Sequence, residues 1–181
     1  SFLFLRVLKD KEDRRFSEWK KNFHQFLRVW TLQGLWVFLT SVAAVTAITS
    51  RKIIEPDLFL YIGSFLWVFG FLFESIADYQ KRKFRSENKN KFIQSGLWSV
   101  SRHPNYFGEI VLWFGIALIA FPTLVGPQYV SLISPLFVYL LLTRVSGVHI
   151  LEKHADDTWG KKKDYKAYKE KTPVLFPKIF K

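Results

Sequence analysis

Residues 101–110, SRHPNYFGEI, set Arg102, His103, Asn105, Tyr106 and Glu109 at the threshold of a long apolar run. Pro104 disfavours helix in the residue before it and suits the first turn of a helix, so a helix is predicted to begin near this proline. A helix start offers free backbone N–H groups and the positive end of a dipole. With Arg102 and His103 beside it as cationic donors, the segment has the make-up of an anion site. Asn105 and Glu109 stand four apart and share a face, which Trp113 continues. Gly108 leaves room for another backbone or a flat ring.

Two further groups carry the same kind of chemistry. Glu74, Asp78, Arg82 and Arg85 follow one another at intervals of four, four and three, which one helix would align on a single face. Glu74 lies inside an apolar stretch, where an ionisable side chain is costly and normally faces a partner or a cavity. Arg144 sits inside the last apolar stretch, with Glu152 eight residues later on the same face of a continuous helix and His149 nearby. Arginine pairs with phosphate in a bidentate way, so a multiply charged anion is the natural ligand for such a set. The ordinary accounts stay open beside it: helix ends solvated through ion pairs, Arg102 on a lipid phosphate, Glu109 paired with a lysine. The density of hydrogen-bonding groups at one boundary favours a site.

These groups need elements to hold them, and hydropathy supplies the elements. The 181 residues are 49% hydrophobic and 18% aromatic, with nineteen Phe and seven Trp, yet the formal charge is +12. The two properties are segregated along the chain. Apolar stretches cover 26–48, 58–76, 110–125 and 130–148. At about 1.5 Å per residue, stretches of this length approach or match a hydrocarbon core of roughly 30 Å. The third is shorter and carries Pro122. Residues 9–28 space Phe16, Trp19, Phe23 and Phe26 by three and four, predicting an amphipathic helix at the interface. Residues 152–181 form a basic interfacial tail whose final TPVLFPKIF is an apolar hook able to dock back on the bundle.

Basic residues sort by loop. Eight Lys or Arg occur up to Arg28, seven from Lys81 to Arg102 and ten from Arg144 onward, whereas Arg51 and Lys52 alone occupy the first connection. None occurs between the third and fourth stretches. The pattern predicts one all-α membrane domain over 1–181: a polytopic bundle of about four transmembrane helices, both termini on the basic face. The three polar groups then converge on one leaflet.

The same composition narrows the function classes. Basic charge flanking membrane spans is explained by anionic lipid headgroups, so nucleic acid is not expected as a partner. The absence of Cys removes disulfides, thiolate catalysis and Cys-ligated metal. No Walker or dinucleotide glycine fingerprint and no metal site is read. The absence of Met, including at position 1, suggests a processed or truncated chain.

GLWSVSRHPNYFGEIVLWFGIAL, with GFLFESIADYQKRKFR before it and ISPLFVYLLLTRVSGVHILEK after it, resembles the steroid 5-alpha-reductase-like membrane proteins, in particular a branch described as a domain of unknown function. RHPNYFGE is similar to a motif of sterol C14- and C24(28)-reductases, and more loosely to one of isoprenylcysteine carboxyl methyltransferases. The resemblance runs from about Lys9 to Phe176. It implies NADPH held on the cytosolic side against a lipid-soluble substrate. Asp78, Arg82 and Arg85 would meet the adenosine or phosphate end. Arg102, His103, Asn105 and Tyr106 would line the cofactor cleft, and Arg144 would hold a phosphate. Tyr165 and Tyr168 match tyrosines of the sterol-reductase tail. Tyr106 or Glu109 is the candidate for assisting protonation.

The resemblance also leads us to expect that the family's additional N-terminal helices, with their substrate-polarising acid and tyrosine, are not among these residues. Three functions therefore stand: an NADPH-dependent reductase of a steroid-like or isoprenoid double bond, an accessory subunit of a larger membrane assembly, and an S-adenosylmethionine-dependent methyltransferase. The first suggests the endoplasmic reticulum. The second fits the mitochondrial inner membrane equally well.

Overall fold

Helix signals are dense in this chain and turn signals are confined to short connections, and the structure follows both. A computed structural model describes residues 22–52, 54–88, 90–145 and 147–178. Among them every regular element is helical. The chain divides into two compact units, Ser1–Leu39 and Thr40–Lys181. In the first unit, Asn22 Oδ1 accepts from the N–H of His24 at 3.0 Å and starts helix α1, Phe23–Thr49. Of the interfacial helix expected over 9–28, residues 9–21 lie outside the described residues, and 23–28 are the first turns of α1.

The second unit, from Thr40 onward, takes in the last part of α1 and every later element. Helix α2, Leu58–Glu87, is capped by Asp57, whose carboxylate accepts from Leu60 N at 2.9 Å. It extends well past the expected 58–76, because the charged residues after Ile76 are good helix formers at i, i+4 spacing. Helix α3, Pro104–Ala120, begins at Pro104 itself, six residues before the apolar stretch, and tightens into a 3-10 turn, Phe121–Thr123, at Pro122. Ser50 Oγ donates to Thr123 O at 2.7 Å, tying the residue after α1 to the end of α3.

The expected fourth span, 130–148, is interrupted. A 3-10 segment, Gly126–Leu132, leads into helix α4, Ile133–Leu140, and then into a π-helical turn, Leu141–Val145. Helix α5, Val148–Trp159, follows with Gly147 as its N-cap at φ −104° and ψ −100°. A side chain at Gly147 would collide with Leu142 O and would come within 2.9 Å of the Tyr106 ring, so the break is packed tight. Helix α6, Lys163–Lys171, completes the set.

Among the described residues, four helical runs are long and apolar enough to cross a membrane: Phe23–Thr49, Leu58–Glu87, Pro104–Thr123 and Gly126–Trp159. Along α2, Phe65, Val68, Phe71 and Leu72 are exposed, a face that lipid would cover. The protein reads as an integral membrane protein of the all-α class.

The closest helix contact is antiparallel, between α2 and α3. A Cβ built on Gly108 would lie 2.6 Å from Glu74 N and 2.7 Å from Gly70 O; one on Gly63 would lie 2.7 Å from Gly115 O. Gly63 and Gly70 thus face Gly115 and Gly108, and the two backbones touch with no side chain between them. Small residues allow such an approach inside a membrane, where dispersion contacts replace the hydrophobic drive. Replacing Gly108 with Leu must part the helices, and we expect a loss of about 1–3 kcal/mol, visible as a lower thermal unfolding midpoint in detergent. Gly34→Ala, with nothing within 4 Å of the new methyl, is the control and should not lower the midpoint.

Candidate functional site

The α2–α3 contact places the C-terminal turns of α2 beside the start of α3, and the connection between them folds back. Gly96, at φ +61°, sits against Gln80, whose Oε1 accepts from Leu97 N at 2.9 Å. The following 3-10 turn, Gly96–Ser99, buries Trp98 to 3% exposure. Its indole donates to Ala77 O at 3.0 Å, and Lys81 Nζ lies 4.4 Å above its ring. That cation–π contact turns the ammonium toward an open cleft.

The cleft encloses about 150 Å³. Lys81 and Arg85 of α2, Lys91 and Phe92 of the connection, and Trp98, Arg102 and His103 line one part; Glu152 of α5 and Tyr165 and Tyr168 of α6 line another. Phe92 packs edge-on against Tyr165 with ring centres 5.2 Å apart, and lies 5.6 Å from Tyr168.

Glu152 is the electrostatic centre. Its Oε1 lies 2.8 Å from His103 Nε2, its Oε2 3.0 Å from Arg102 and 3.5 Å from Lys169 Nζ. Lys169 also contacts Asp156 at 2.7 Å, and Tyr165 OH donates to the same carboxylate at 3.2 Å. Tyr168 OH donates to Trp98 O at 2.6 Å. Burial, reinforced by the Asp156 and Glu152 carboxylates, pushes the Tyr165 phenol well above the ordinary tyrosine range. Burial does the same to Tyr168, partly offset by Arg102. Both phenols therefore stay protonated donors through the neutral range.

Two nitrogens of the cleft, one on a guanidinium and one on an imidazole, are left over. Arg102 Nε and His103 Nδ1 are buried and have no hydrogen-bond partner among the described residues. Buried polar groups are paired in the large majority of cases, so orphans lining a cleft point to a ligand. Of the N–H groups around this helix start, those of the N-cap His103 and of Arg102 before it are taken. Arg102 N donates to Pro173 O at 2.9 Å and His103 N to Val174 O at 3.1 Å. The N–H groups of these two residues are consumed by the C-terminal segment, and it is their side chains that remain for an anion.

Of the residues singled out from sequence, Arg85, Arg102, His103, Tyr165 and Tyr168 line the cleft. Asp78, Arg82, Asn105, Tyr106 and Glu109 are outside its lining. Asp78 interacts with Asn105, Arg82 and Lys81, and Glu74 lies within electrostatic reach of both Glu109 and Asp78. Tyr106 joins the two regions by stacking on His103, with rings 5.6 Å apart and 10° from parallel. Arg144 is exposed in the π-helical turn and is not in the lining. The interruption between 141 and 147 breaks the continuous face that would have aligned Arg144 with Glu152. Lys81, Lys91, Phe92 and Trp98 were missed. The Lys81 signal was its place one turn before Arg85 on the charged face; for Trp98 it was an aromatic five residues ahead of His103.

Comparison with known proteins bears on the whole chain. A family model described as "Protein of unknown function (DUF1295)" matches residues 1–172. The chain belongs to this family. Part of this DUF1295 protein is also similar to a "Probable 7-dehydrocholesterol reductase" of Acanthamoeba polyphaga mimivirus, at 36% identity over a stretch covering 25% of the chain and 14% of that relative. The chain thus aligns with about one seventh of that relative's length. No solved structure matches it.

The Glu152 network yields a direct test. Removing its carboxylate leaves Arg102 and His103 without their partner, while Lys169 keeps Asp156. Glu152→Ala should cost about 1–3 kcal/mol, whereas Asp156→Ala, at a half-exposed pair, should cost under about 1 kcal/mol. Thermal unfolding of both variants in one detergent compares them, and equal losses would contradict this assignment.

Proposed function

We propose that this DUF1295 protein is a membrane-embedded, NADPH-dependent reductase of a carbon–carbon double bond in a sterol-like or isoprenoid lipid. The observation that carries the reading is the cleft: four Lys or Arg side chains and one carboxylate, with an unpartnered guanidinium N–H on Arg102 and an unpartnered ring nitrogen on His103 beside an aromatic wall. A dinucleotide phosphate needs that combination of cations and flat surfaces. The partial similarity to a protein named as a probable 7-dehydrocholesterol reductase supports the reaction class.

The donor set fits the cofactor. Lys81, Arg85, Lys91 and Arg102 would hold phosphate groups, and Trp98 and Phe92 would give a base a surface to stack on. Whole small-molecule sites begin at roughly 300 Å³, so a cleft of about 150 Å³ suits one end of the dinucleotide. When bound, NADPH supplies the hydride. The chain supplies the rest. Glu152 keeps Arg102 and His103 oriented, the bundle keeps water from the reacting end, and Tyr106 or Glu109 donates the proton that completes reduction. S-adenosylmethionine carries a sulfonium cation and no phosphate, so the cationic lining favours the dinucleotide over a methyl donor. The reductase reading brings with it an endoplasmic-reticulum location and a lipophilic substrate that enters from the bilayer.

NADPH titrated into the purified protein should quench tryptophan fluorescence saturably, because Trp98 lines the cleft. Arg85→Ala and Lys81→Ala should each weaken binding about tenfold or more, the loss of one charge-assisted contact. Absence of saturable NADPH binding to the folded wild type would overturn the reading, and saturable binding of S-adenosylhomocysteine in its place would move it to methyl transfer.

A further inference from the structure

Residues 172–178, beyond α6, fold back onto the bundle. Residues Thr172–Lys178 form a strap laid along Ser99–His103. Thr172 Oγ1 donates to Ser99 O at 3.4 Å, Ser101 Oγ to Leu175 O at 2.8 Å, and Lys178 N to Val100 O at 3.0 Å. Arg102 N and His103 N complete the set on Pro173 O and Val174 O. The strap is seated as well as bonded: Thr172 is 3% and Leu175 7% exposed, and Ser101 beneath them is fully buried. Phe176 reaches the edge of Phe107 at 6.1 Å, and Phe107 meets Phe73 at 5.4 Å, so the strap ends on an aromatic chain joining α3 to α2.

Apart from the strap, side chains hold the two ends of the segment, Trp98 through Ala77 O and Tyr168, and Arg102 and His103 through Glu152. Val100 N and Ser101 N bond only to Leu97 O, one turn back. The two residues with N–H groups bonded to the strap are the two whose side chains carry unpartnered buried nitrogens. We propose that the strap Thr172–Lys178 is a positioning element: it holds Arg102 and His103 where an anionic ligand meets them, and lifting it disarms the cleft while leaving the α2–α3 contact intact. The ligand half of this inference rests on the proposed function; the bracing half stands on the hydrogen bonds alone. The device couples the C-terminus to the site, so a modification or partner that displaces residues 172–178 would switch ligand affinity without touching the cleft.

The full chain in detergent is compared with Leu175→Lys, which forces a charge into the buried seat, and with Leu175→Ile, which preserves it. Hydrogen exchange is followed by mass spectrometry on peptides covering 99–103, 63–70 and 108–115. In Leu175→Lys, the amides of Arg102 and His103 should exchange at least about tenfold faster, with the α2 and α3 peptides unchanged and NADPH binding weakened about tenfold. Leu175→Ile should match the wild type in both. Unchanged exchange at 102 and 103, or acceleration spread equally over α2 and α3, would overturn the bracing. Accelerated exchange with undiminished NADPH affinity would overturn the positioning role. If even the wild type binds no NADPH while 99–103 alone accelerates, the strap's bracing is supported and the reductase reading falls. Ser101→Ala, which removes the bond to Leu175 O without adding charge, gives a second measure of the same exchange should Leu175→Lys fail to fold.

Discussion

Backbone-to-backbone contact between α2 and α3 is the constraint from which the site's geometry follows. With Gly70 and Gly108 removing any side chain between them, the helices have little freedom to slide or rotate, because a shift of one residue would bring a side chain into a gap too narrow for a methyl group. The register set at these glycines puts Glu74 N over Gly108 and leaves the last three turns of α2 standing beyond the start of α3. The connection must therefore fold back along α2. It does so with polar anchors at each step: Gln80 holds Leu97, and Ala77 O holds the Trp98 indole. The basic end of α2 and the Arg102–His103 pair become neighbours because two helices can approach at glycine.

Charge balance then decides what the cleft can attract. Four Lys or Arg side chains line it against one carboxylate, and that carboxylate is already committed to Arg102, His103 and Lys169. Glu152 and Arg102 are largely buried, so their pairing is less screened than the Asp156 pair and contributes to stability. The pairing also sets orientation, since a guanidinium held on one edge keeps its remaining N–H groups in a fixed fork. A site with surplus positive charge and pre-oriented donors favours a multiply charged anion over a neutral ligand.

Much of the fold was legible in the sequence. Apolar length marked the spans, Pro104 marked the start of α3, and the charged run after Ile76 marked the extension of α2. Gly108 was read as a place of close approach, and the apolar hook near the C-terminus as a segment that docks back. What stayed hidden depends on distance in the chain. Nothing local tells that the N–H groups of Arg102 and His103 are taken by residues some seventy positions later, so the helix start looked like a backbone anion site. The fourth span read as one helix because Leu, Val and Ile favour no particular break. The π-helical turn and Gly147 separate Arg144 from Glu152, and Gly147 is required there chiefly because a side chain would collide with the Leu142 carbonyl. Lys81 and Trp98 were overlooked because each is ordinary alone; stacked on one another they form a wall of the cleft.

The route from the cleft into the membrane is written on α3. His103 lines the cleft, Tyr106 stacks on it one turn on, and Glu109 follows one turn deeper, close enough to Glu74 to interact. These positions, three residues apart, follow one stripe along the helix. Under the proposed function, charge would be gripped at the basic face and proton transfer would occur further along the same stripe, nearer the hydrocarbon. Such a layout separates two requirements that conflict at a single point. Phosphate recognition needs hydrated cations at an open edge, whereas hydride and proton transfer to a lipid double bond need a dry interior in which fixed dipoles act at full strength. A helix crossing from one medium to the other meets both, and a strap that fixes its first residues fixes the alignment of the whole stripe.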